Sequence, residues 1–227
     1  MTILSASLLI LLVAVTFTES GKRLRFKGKK DVVFILDSSG SVGTADFKEM
    51  KNFAKYETYL YKLGKKATQF GLDLFSTTVT TEIKLKDNNR CGRCLRNEIN
   101  SVNYKGGKTN TFFALDHARF NSFSASYGAR TGVPKVAIVM TDGKSQGKDK
   151  TCDSAKDLRN SGVTIMVIPI GDKVDKKEID CMASSKSFIL PVKRFAGLRN
   201  RVFRNRIAKK VFAVKLPASI GERGSSG

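Results

Sequence analysis

The sequence predicts an α/β protein with a doubly wound, mostly parallel central sheet, one antiparallel edge strand and helices on both faces. Three observations support this prediction. Apolar runs of strand length alternate along the chain with amphipathic stretches of helix length. The runs at 32–36 and 136–140 are continuously apolar, as expected of strands buried on both faces. Polar segments follow these runs directly, at the strand ends where ligands bind in such sheets.

Six strands and six helices are predicted in chain order. The strands are expected at 31–36, 69–75, 79–85, 135–140, 163–170 and 188–192. The helices are expected at 46–63, 91–102, 110–123, 152–160, 176–183 and 195–214. The third strand follows the second through a tight turn, so these two strands are antiparallel. Helical spacing predicts that Phe47 and Phe53 in the first helix, Phe113 in the third and Val202 in the last face the core.

The length of 227 residues suits one domain of ordinary size. Residues 1–20 are predicted to be a signal peptide, because the apolar stretch 3–17 is too short for a membrane span. Its first residues contain no Lys or Arg, so an uncleaved anchor stays open. Residues 21–30 form a basic lead-in, 31–215 the domain and 216–227 a flexible tail. No later segment is apolar enough to span a membrane, and we expect a secreted, extracellular protein.

The chain is strongly basic, with 41 Lys and Arg residues, 20 Asp and Glu residues and a formal net charge of +21. Such an imbalance favours anionic surfaces and polymers. The last predicted helix and its flanks carry nine cations and no acid: Lys193, Arg194, Arg199, Arg201, Arg204, Arg206, Lys209, Lys210 and Lys215. This segment is either a solvated helix face or a docking surface for an anionic polysaccharide such as heparan sulfate. Nucleic acid is not expected, since no aromatic platform or known module accompanies the charges.

Four cysteines in an exported protein suit two disulfides, and three pairings are open. We favour Cys91 with Cys94 and Cys152 with Cys181. The C-x-x-C spacing of the first pair also occurs in thiol oxidoreductases, but their strand–helix context is absent here. The spacing of the four cysteines and His117 is not that of a zinc finger.

Three polar segments stand where the chain leaves the predicted sheet or enters a helix. Asp37, Ser39 and Ser41 alternate directly after the first strand, so their side chains can converge in an extended loop. Thr109 follows two glycines just before a helix, and Asp142 stands at the end of another apolar strand. Carboxylate and hydroxyl oxygens are hard ligands suited to Mg²⁺, Mn²⁺ or Ca²⁺. These five residues are therefore predicted to form a divalent-cation site.

In their order, the D-x-S-x-S stretch at 37–41, the G-G-x-T-x-T loop at 106–111 and the T-D-G turn at 141–143 resemble the metal-ion-dependent adhesion site of the von Willebrand factor A domain. The resemblance covers about residues 31–214. It is to the secreted A modules of matrilins, cochlin and collagen type VI, and it implies their Rossmann-like fold.

The resemblance also implies a role for each residue of the site. Ser39 and Ser41 are expected to bind the cation directly, and Asp37 mainly through water. Thr109 is expected to bind the metal in the ligand-engaged state. Asp142 is expected to bind the metal through water or to accept hydrogen bonds from the metal's coordination shell. A Glu or Asp of the partner then completes an octahedral coordination sphere.

The favoured function is a non-enzymatic adhesion module that captures an acidic group of an extracellular protein or matrix ligand. The alternative is a basic structural matrix protein that binds sulfated or acidic polysaccharide independently of metal. A Mg²⁺-dependent enzyme such as a phosphatase is less favoured, because the sequence offers no nucleophile or general base for it. A serine hydrolase would need His117, the single histidine, which lies in the middle of a predicted helix.

Overall fold

The computed structural model describes residues 26–87 and 91–217, in which five strands and six α-helices alternate. The strands are β1 (Lys30–Asp37), β2 (Thr68–Phe75), β3 (Val79–Ile83), β4 (Lys135–Thr141) and β5 (Val163–Pro169). The helices are α1 (Gly43–Glu57), α2 (Gly92–Ser101), α3 (Thr111–His117), α4 (Lys148–Asn160), α5 (Lys176–Met182) and α6 (Arg201–Ala213). The predicted signal peptide, lead-in residues 21–25 and tail residues 218–227 lie outside the described residues.

The five strands form one sheet in the order β3-β2-β1-β4-β5. β1 pairs in parallel with β2 and with β4, and β4 pairs in parallel with β5. β3 runs antiparallel to β2 at the edge of the sheet. The predicted fold class, a mostly parallel sheet with one antiparallel edge strand, is confirmed.

The central strand β1 contributes to two apolar layers. Phe34 and Leu36 belong to the layer packed by α1 and α6, whereas Val33 and Ile35 belong to the layer packed by α3, α4 and α5. All four side chains are buried. Helices on both faces explain why the β1 sequence is continuously apolar rather than alternating.

One side chain, Arg130, ties together the amino ends of β1 and β2. Its guanidinium lies 2.7 Å from the buried Asp31 carboxylate and donates to the carbonyl oxygens of Lys30, Lys65 and Ala67. The pair satisfies a charge at a buried position, where an unpaired carboxylate is costly. The amino ends of β1 and β2 are therefore held together by structural contacts.

The first and last described segments also meet beside the start of β1. The ring of Phe26 lies 5.0 Å from that of Phe212 and 5.7 Å from that of Tyr61. The Lys30 ammonium donates a hydrogen bond to the carbonyl oxygen of Val214. The chain thus enters and leaves the domain at neighbouring points.

Two disulfides are present, in the pairing that the sequence favours. Cys91 and Cys94 are joined at the start of α2. Cys152 of α4 and Cys181 of α5 are joined across a separation of 29 residues. The second bond links two helices that cover the same face of the sheet. Within residues 26–87 and 91–217, no helix is both long and apolar enough to cross a membrane.

The predicted sixth strand at 188–192 is wrong. Ile189 and Val192 form only isolated bridges, to Val167 and Ile170 respectively. Pro191, which lies between them, has no N–H and cannot donate to a ladder of hydrogen bonds. The segment lies beside β5 without extending the sheet as a strand.

The predicted last helix at 195–214 is also wrong as one element. A 3₁₀ turn spans Phe195–Arg199, and α6 begins only after Asn200, which is extended at ψ 120°. The Asn200 side chain accepts from the backbone N–H groups of Val202 and Phe203, which makes it the N-cap of α6. The break rotates Val202 into solvent, 77% exposed, and Phe203 packs against the core in its place.

The first and third helices end earlier than the sequence predicts. α1 ends at Glu57 and is followed by a 3₁₀ turn at Thr58–Leu60. α3 ends at His117 and continues as a π-helical turn at Ala118–Ser122. Phe113, predicted to face the core, is 49% exposed, because Ala114 and Leu115 occupy the buried side of α3.

Candidate metal centre

The carboxyl edge of the sheet brings together the three polar loops noted in the sequence. β1 ends at Asp37 and its parallel neighbour β4 ends at Thr141, so the two following loops start side by side. The third loop precedes α3 and lies against the first. Gly106 N–H donates to the Ser38 carbonyl, and Gly40 N–H donates to the Gly107 carbonyl, both at 2.8 Å.

The glycines of the third loop allow its conformation and its close approach to Thr77, in the turn between β2 and β3. Gly106 and Gly107 have φ values of 74° and 97°, in the left-handed region that favours glycine. A Cβ at Gly107 would lie 2.5 Å from the Thr77 hydroxyl oxygen. Tyr104 fixes the same loop by donating from its hydroxyl to the Ser39 carbonyl at 3.0 Å.

A chain of hydroxyl and carboxylate contacts connects the predicted ligands. The Ser39 and Ser41 hydroxyl oxygens lie 3.1 Å apart, and the Ser41 hydroxyl donates to Asp142 Oδ1 at 2.7 Å. Asp37 Oδ1 accepts from the Ser39 N–H at 2.8 Å. Four of the five predicted residues are therefore in direct contact with another member of the set.

Thr109 reaches the same place from the third loop. A Cβ added at Gly143 would lie 3.4 Å from the Ser41 hydroxyl oxygen and 4.0 Å from the Thr109 hydroxyl oxygen. The two hydroxyls therefore both lie against Gly143, next to Asp142. The small residue in the T-D-G turn leaves room for oxygens from all three loops.

Thr141 is a further residue of the centre, to which the sequence assigned no role. Its hydroxyl donates to Asp37 Oδ2 at 2.6 Å and holds that carboxylate at the end of β1. The sequence contains a signal for Thr141, because this residue is the first of the T-D-G turn. What the sequence does not show is that parallel pairing of β1 with β4 places this hydroxyl beside Asp37.

The centre is electrostatically unbalanced without a cation. Burial and, to a smaller extent, the nearby negative charge of Asp142 together raise the pKa of Asp37 to about 6, against hydrogen bonds from Ser39 and Thr141 that lower it. Two carboxylates and three hydroxyls are all hard oxygen donors. This donor set fits a divalent cation of the Mg²⁺ type.

The centre does not resemble a metal site built only from strong ligands. Within residues 26–87 and 91–217, no group of three or more His, Cys, Asp or Glu side chains is arranged to hold a metal ion. Any cation here depends on the neutral oxygens of Ser39, Ser41 and Thr109 in addition to the two carboxylates.

The segment 143–147 has the G-x-S-x-G spacing of serine hydrolases, between β4 and α4. The structure gives Ser145 no catalytic partner. Its hydroxyl shares a hydrogen bond with the Thr151 hydroxyl at 2.9 Å, and the His117 ring binds the Thr81 hydroxyl of β3 at 2.7 Å. Since His117 is the only histidine in the chain, a Ser–His–Asp triad is not formed.

The cations predicted to form one basic surface have different environments. Arg199 forms two hydrogen bonds with Glu49, at 2.6 and 2.7 Å, and Arg204 lies over the Tyr56 ring. Lys210 lies over the Phe188 ring. The remaining cations of the set are exposed: Lys193, Arg194, Arg201, Arg206, Lys209 and Lys215. The break at Asn200 prevents these residues from forming a single helical stripe.

Together, the fold and the centre define a class: α/β domains with a Ser, Thr and Asp site at the carboxyl edge of a doubly wound sheet. The von Willebrand factor type A domain model matches residues 31–203, and the chain belongs to this family.

Named relatives agree with this assignment. Von Willebrand factor A domain-containing protein 2 of Xenopus laevis is 31% identical, over 74% of this chain and 21% of that protein. The collagen alpha-1(XII) chain of Notophthalmus viridescens is 30% identical, over 81% of this chain and 20% of that protein. The chain therefore spans about a fifth of the length of these relatives.

A solved structure shows the same fold. Proximal thread matrix protein 1 from the mussel byssus, described with a zinc-occupied metal-ion-dependent adhesion site, matches with a TM-score of 0.74 and 27% identity. The match covers 83% of this chain and 48% of that chain.

Proposed function

We propose that this chain is an extracellular adhesion module whose centre holds a divalent cation and captures an acidic group of a protein or matrix ligand. The observation that carries the proposal is the convergence of Asp37, Ser39, Ser41, Thr109 and Asp142 at one edge of the sheet. The zinc-occupied site of the mussel relative supports a divalent cation here. We propose Mg²⁺, with Mn²⁺ or Ca²⁺ as substitutes, because every donor is an oxygen.

Charge balance explains the preference for an acidic ligand. Asp37 and Asp142 carry at most two negative charges, which only neutralise a divalent ion. A bound cation supplies a Lewis-acidic positive charge that attracts a carboxylate from outside. Ser39, Ser41 and Thr109 add neutral oxygens, and Thr141 and Tyr104 hold the first loop in place.

An extracellular location is the second part of the proposal. Disulfides persist in oxidising compartments, and this domain contains two. The predicted signal peptide at 1–20 and the collagen relative point in the same direction.

The centre is tested by removing the Ser39 and Ser41 hydroxyls of its first loop, the second of which bonds to Asp142. Ser39→Ala/Ser41→Ala is compared with Ser124→Ala/Ser126→Ala, a second i, i+2 serine pair with hydroxyls 2.8 Å apart in the segment after the π-helical turn. Calorimetric titration with Mn²⁺ is expected to show at least ten-fold weaker binding for the first variant and none of that loss for the second. Equal binding by both variants contradicts a cation at this centre.

Adhesion is tested separately, with matrix extract as the bait. Retention of the wild-type chain is expected to disappear in EDTA and to return with excess Mg²⁺. If the chain binds Mn²⁺ but its retention is unchanged by EDTA, the cation site stands and the adhesive role is wrong.

A further inference from the structure

Two adjoining grooves lie along α1, away from the metal centre. The first has a volume of about 630 Å³ and is lined by Lys48, Glu49, Asn52, Phe53, Tyr56, Leu198, Arg199 and Arg204. The second has a volume of about 520 Å³ and is lined by Lys55, Tyr56, Tyr59, Arg93, Arg96, Asn97 and Asn100. Tyr56 lines both, so the grooves form one surface between α6 and α2, which we call the α1 groove.

The α1 groove is strongly cationic. Three basic residues line its first part and three line its second part, with Glu49 as the one acidic lining residue. Arg199 neutralises Glu49 through two hydrogen bonds and lowers the pKa of that carboxyl. The other five cations form no ion pair with the described residues of the chain: Lys48, Lys55, Arg93, Arg96 and Arg204.

Aromatic rings, rather than carboxylates, position three of these five cations: Lys55, Arg96 and Arg204. The Arg96 guanidinium carbon lies 4.0 Å from the centre of the Tyr59 ring. The Arg204 guanidinium carbon and the Lys55 nitrogen lie 4.8 and 5.2 Å from the centre of the Tyr56 ring. A cation–π contact orients a guanidinium without cancelling its charge or occupying its N–H donors. The groove therefore presents ordered cations that keep their hydrogen-bonding capacity.

The buried residue next to Tyr56 does not cancel this charge. Burial raises the pKa of Glu57 to about 8, against the hydrogen bond from Tyr61 and the charge of Arg204, which lower it. Its carboxyl is therefore mainly protonated at neutral pH, and Arg204 has no full negative charge beneath it.

The cations are spread along a line rather than gathered at a point. Lys48 and Tyr56 are eight residues apart on α1, which is about 12 Å along the helix axis. Arg204 of α6 lies over Tyr56 and Arg96 of α2 lies over Tyr59, so these two cations follow Lys48 in order along α1 and the turn after it. A linear polymer with repeated anionic groups matches this arrangement better than a single small anion does.

We propose that the α1 groove is a binding site for a sulfated polysaccharide. The site is separate from the metal centre, and binding there does not require a divalent metal ion. Planar guanidinium groups bind sulfate and carboxylate oxygens in pairs. Arg204 and Lys55 lie over the Tyr56 ring and Arg96 lies over the Tyr59 ring, although Tyr56 keeps 47% of its surface exposed. Single-stranded nucleic acid would instead stack its bases on open rings, and it is therefore one of the competitors in the test. The site involves α1, α2 and α6 and not the last helix alone.

The proposal is tested with heparin as the probe, in EDTA. Arg96→Ala/Arg204→Ala is compared with Arg201→Ala/Arg206→Ala, which removes the same charge from exposed positions of α6 outside the groove. We expect the groove variant to bind heparin about ten-fold more weakly and the control to change by less than three-fold. Equal losses of heparin affinity in the two variants would mean that binding depends only on net charge, and would overturn the proposal.

A second variant tests the rings without changing the charge. Tyr56→Leu keeps the five unpaired cations but removes the ring under Arg204 and Lys55. Heparin affinity is expected to fall about three-fold, with thermal unfolding as the check on folding. An unchanged affinity overturns the role of the rings, and tighter binding of oligothymidylate or polyglutamate than of heparin overturns the assignment to sulfated polysaccharide.

Discussion

Asp37 and Asp73 are two buried carboxyl groups on neighbouring strands that have different surroundings. Asp37 ends β1, and Asp73 lies in β2 opposite Ile35, two residues deeper in the sheet. Burial raises the pKa of each to about 6. By burial and pKa alone, the two residues look equally suited to a functional site.

The hydrogen bonds around them separate the two roles. Asp73 accepts from Thr81 at 2.7 Å and from the buried Ser122 at 2.5 Å, and His117 binds Thr81 from outside. Both of its oxygens are therefore closed in by protein. The oxygens of Asp37 also accept from protein donors, the Ser39 N–H and the Thr141 hydroxyl, but Asp37 lies next to a second carboxylate, Asp142, and to hydroxyls that lead to the surface. A perturbed carboxyl marks a site only when neighbouring donors remain available to a ligand.

The largest difference between the two carboxyls is expected in cation binding. Asp37→Asn removes a charge from the centre and is expected to weaken Mn²⁺ binding about 100-fold, whereas Asp73→Asn leaves it within two-fold. Calorimetric titration at neutral pH measures both, and circular dichroism checks that both variants are folded. Loss of Mn²⁺ binding in a folded Asp73→Asn variant would contradict the assignment of different roles to the two carboxyls.

A smaller effect is expected in the pH dependence of stability in EDTA, to which both carboxyls contribute and from which the part due to Asp73 can be removed by mutation. The folded-state pKa of about 6 lies above the ordinary value of 3.8, so the folded state holds this proton longer than the unfolded state does. The free energy of unfolding contributed by Asp73 therefore falls, on the order of 2 kcal/mol, as pH rises from about 4 to about 6. Urea unfolding in EDTA is expected to show this fall for the wild type and a flatter profile for Asp73→Asn. Parallel profiles contradict the assignment.

The smallest effect is expected in the unfolding free energy when a hydroxyl near each carboxyl is removed. Ser122→Ala leaves an oxygen of Asp73 buried without its donor and is expected to cost about 1.5 kcal/mol of unfolding free energy. Ser41→Ala, next to solvent, is expected to cost less than about 0.5 kcal/mol while weakening Mn²⁺ binding. The same urea and titration measurements decide it. If Ser41→Ala proves the more destabilising of the two, the centre has a structural role as well.

The sequence predicts the sheet well because burial on both faces leaves a local mark, the continuous apolar runs that became β1 and β4. It also brings out the five predicted residues of the centre, since each stands at or near an element end. Two failures share one cause. Pro191 interrupts the pairing beside β5, and Asn200 starts a new helix. Both are effects of a single residue, which helical or strand periodicity does not detect.

Other features depend on contacts between distant parts of the chain. Arg199 and Glu49 are 150 residues apart, so a count of basic residues in the last helix could not show that one of them is neutralised. The α1 groove likewise draws its five unpaired cations from three helices, α1, α2 and α6. The sequence does not single out Asp73, because its partners Thr81 and Ser122 follow no motif.

The junction of Phe26 with Phe212 and of Lys30 with Val214 has a mechanical consequence. Tension between the two flanking segments of the chain is carried across this junction, at the amino edge, and does not pass through the metal centre. Under the proposed function, tension between a captured ligand and the amino-terminal segment instead runs the length of β1, from Asp37 to Lys30. Along that path, the ladders to β2 and β4 are loaded together in shear, so force from the ligand is resisted by the whole middle of the sheet.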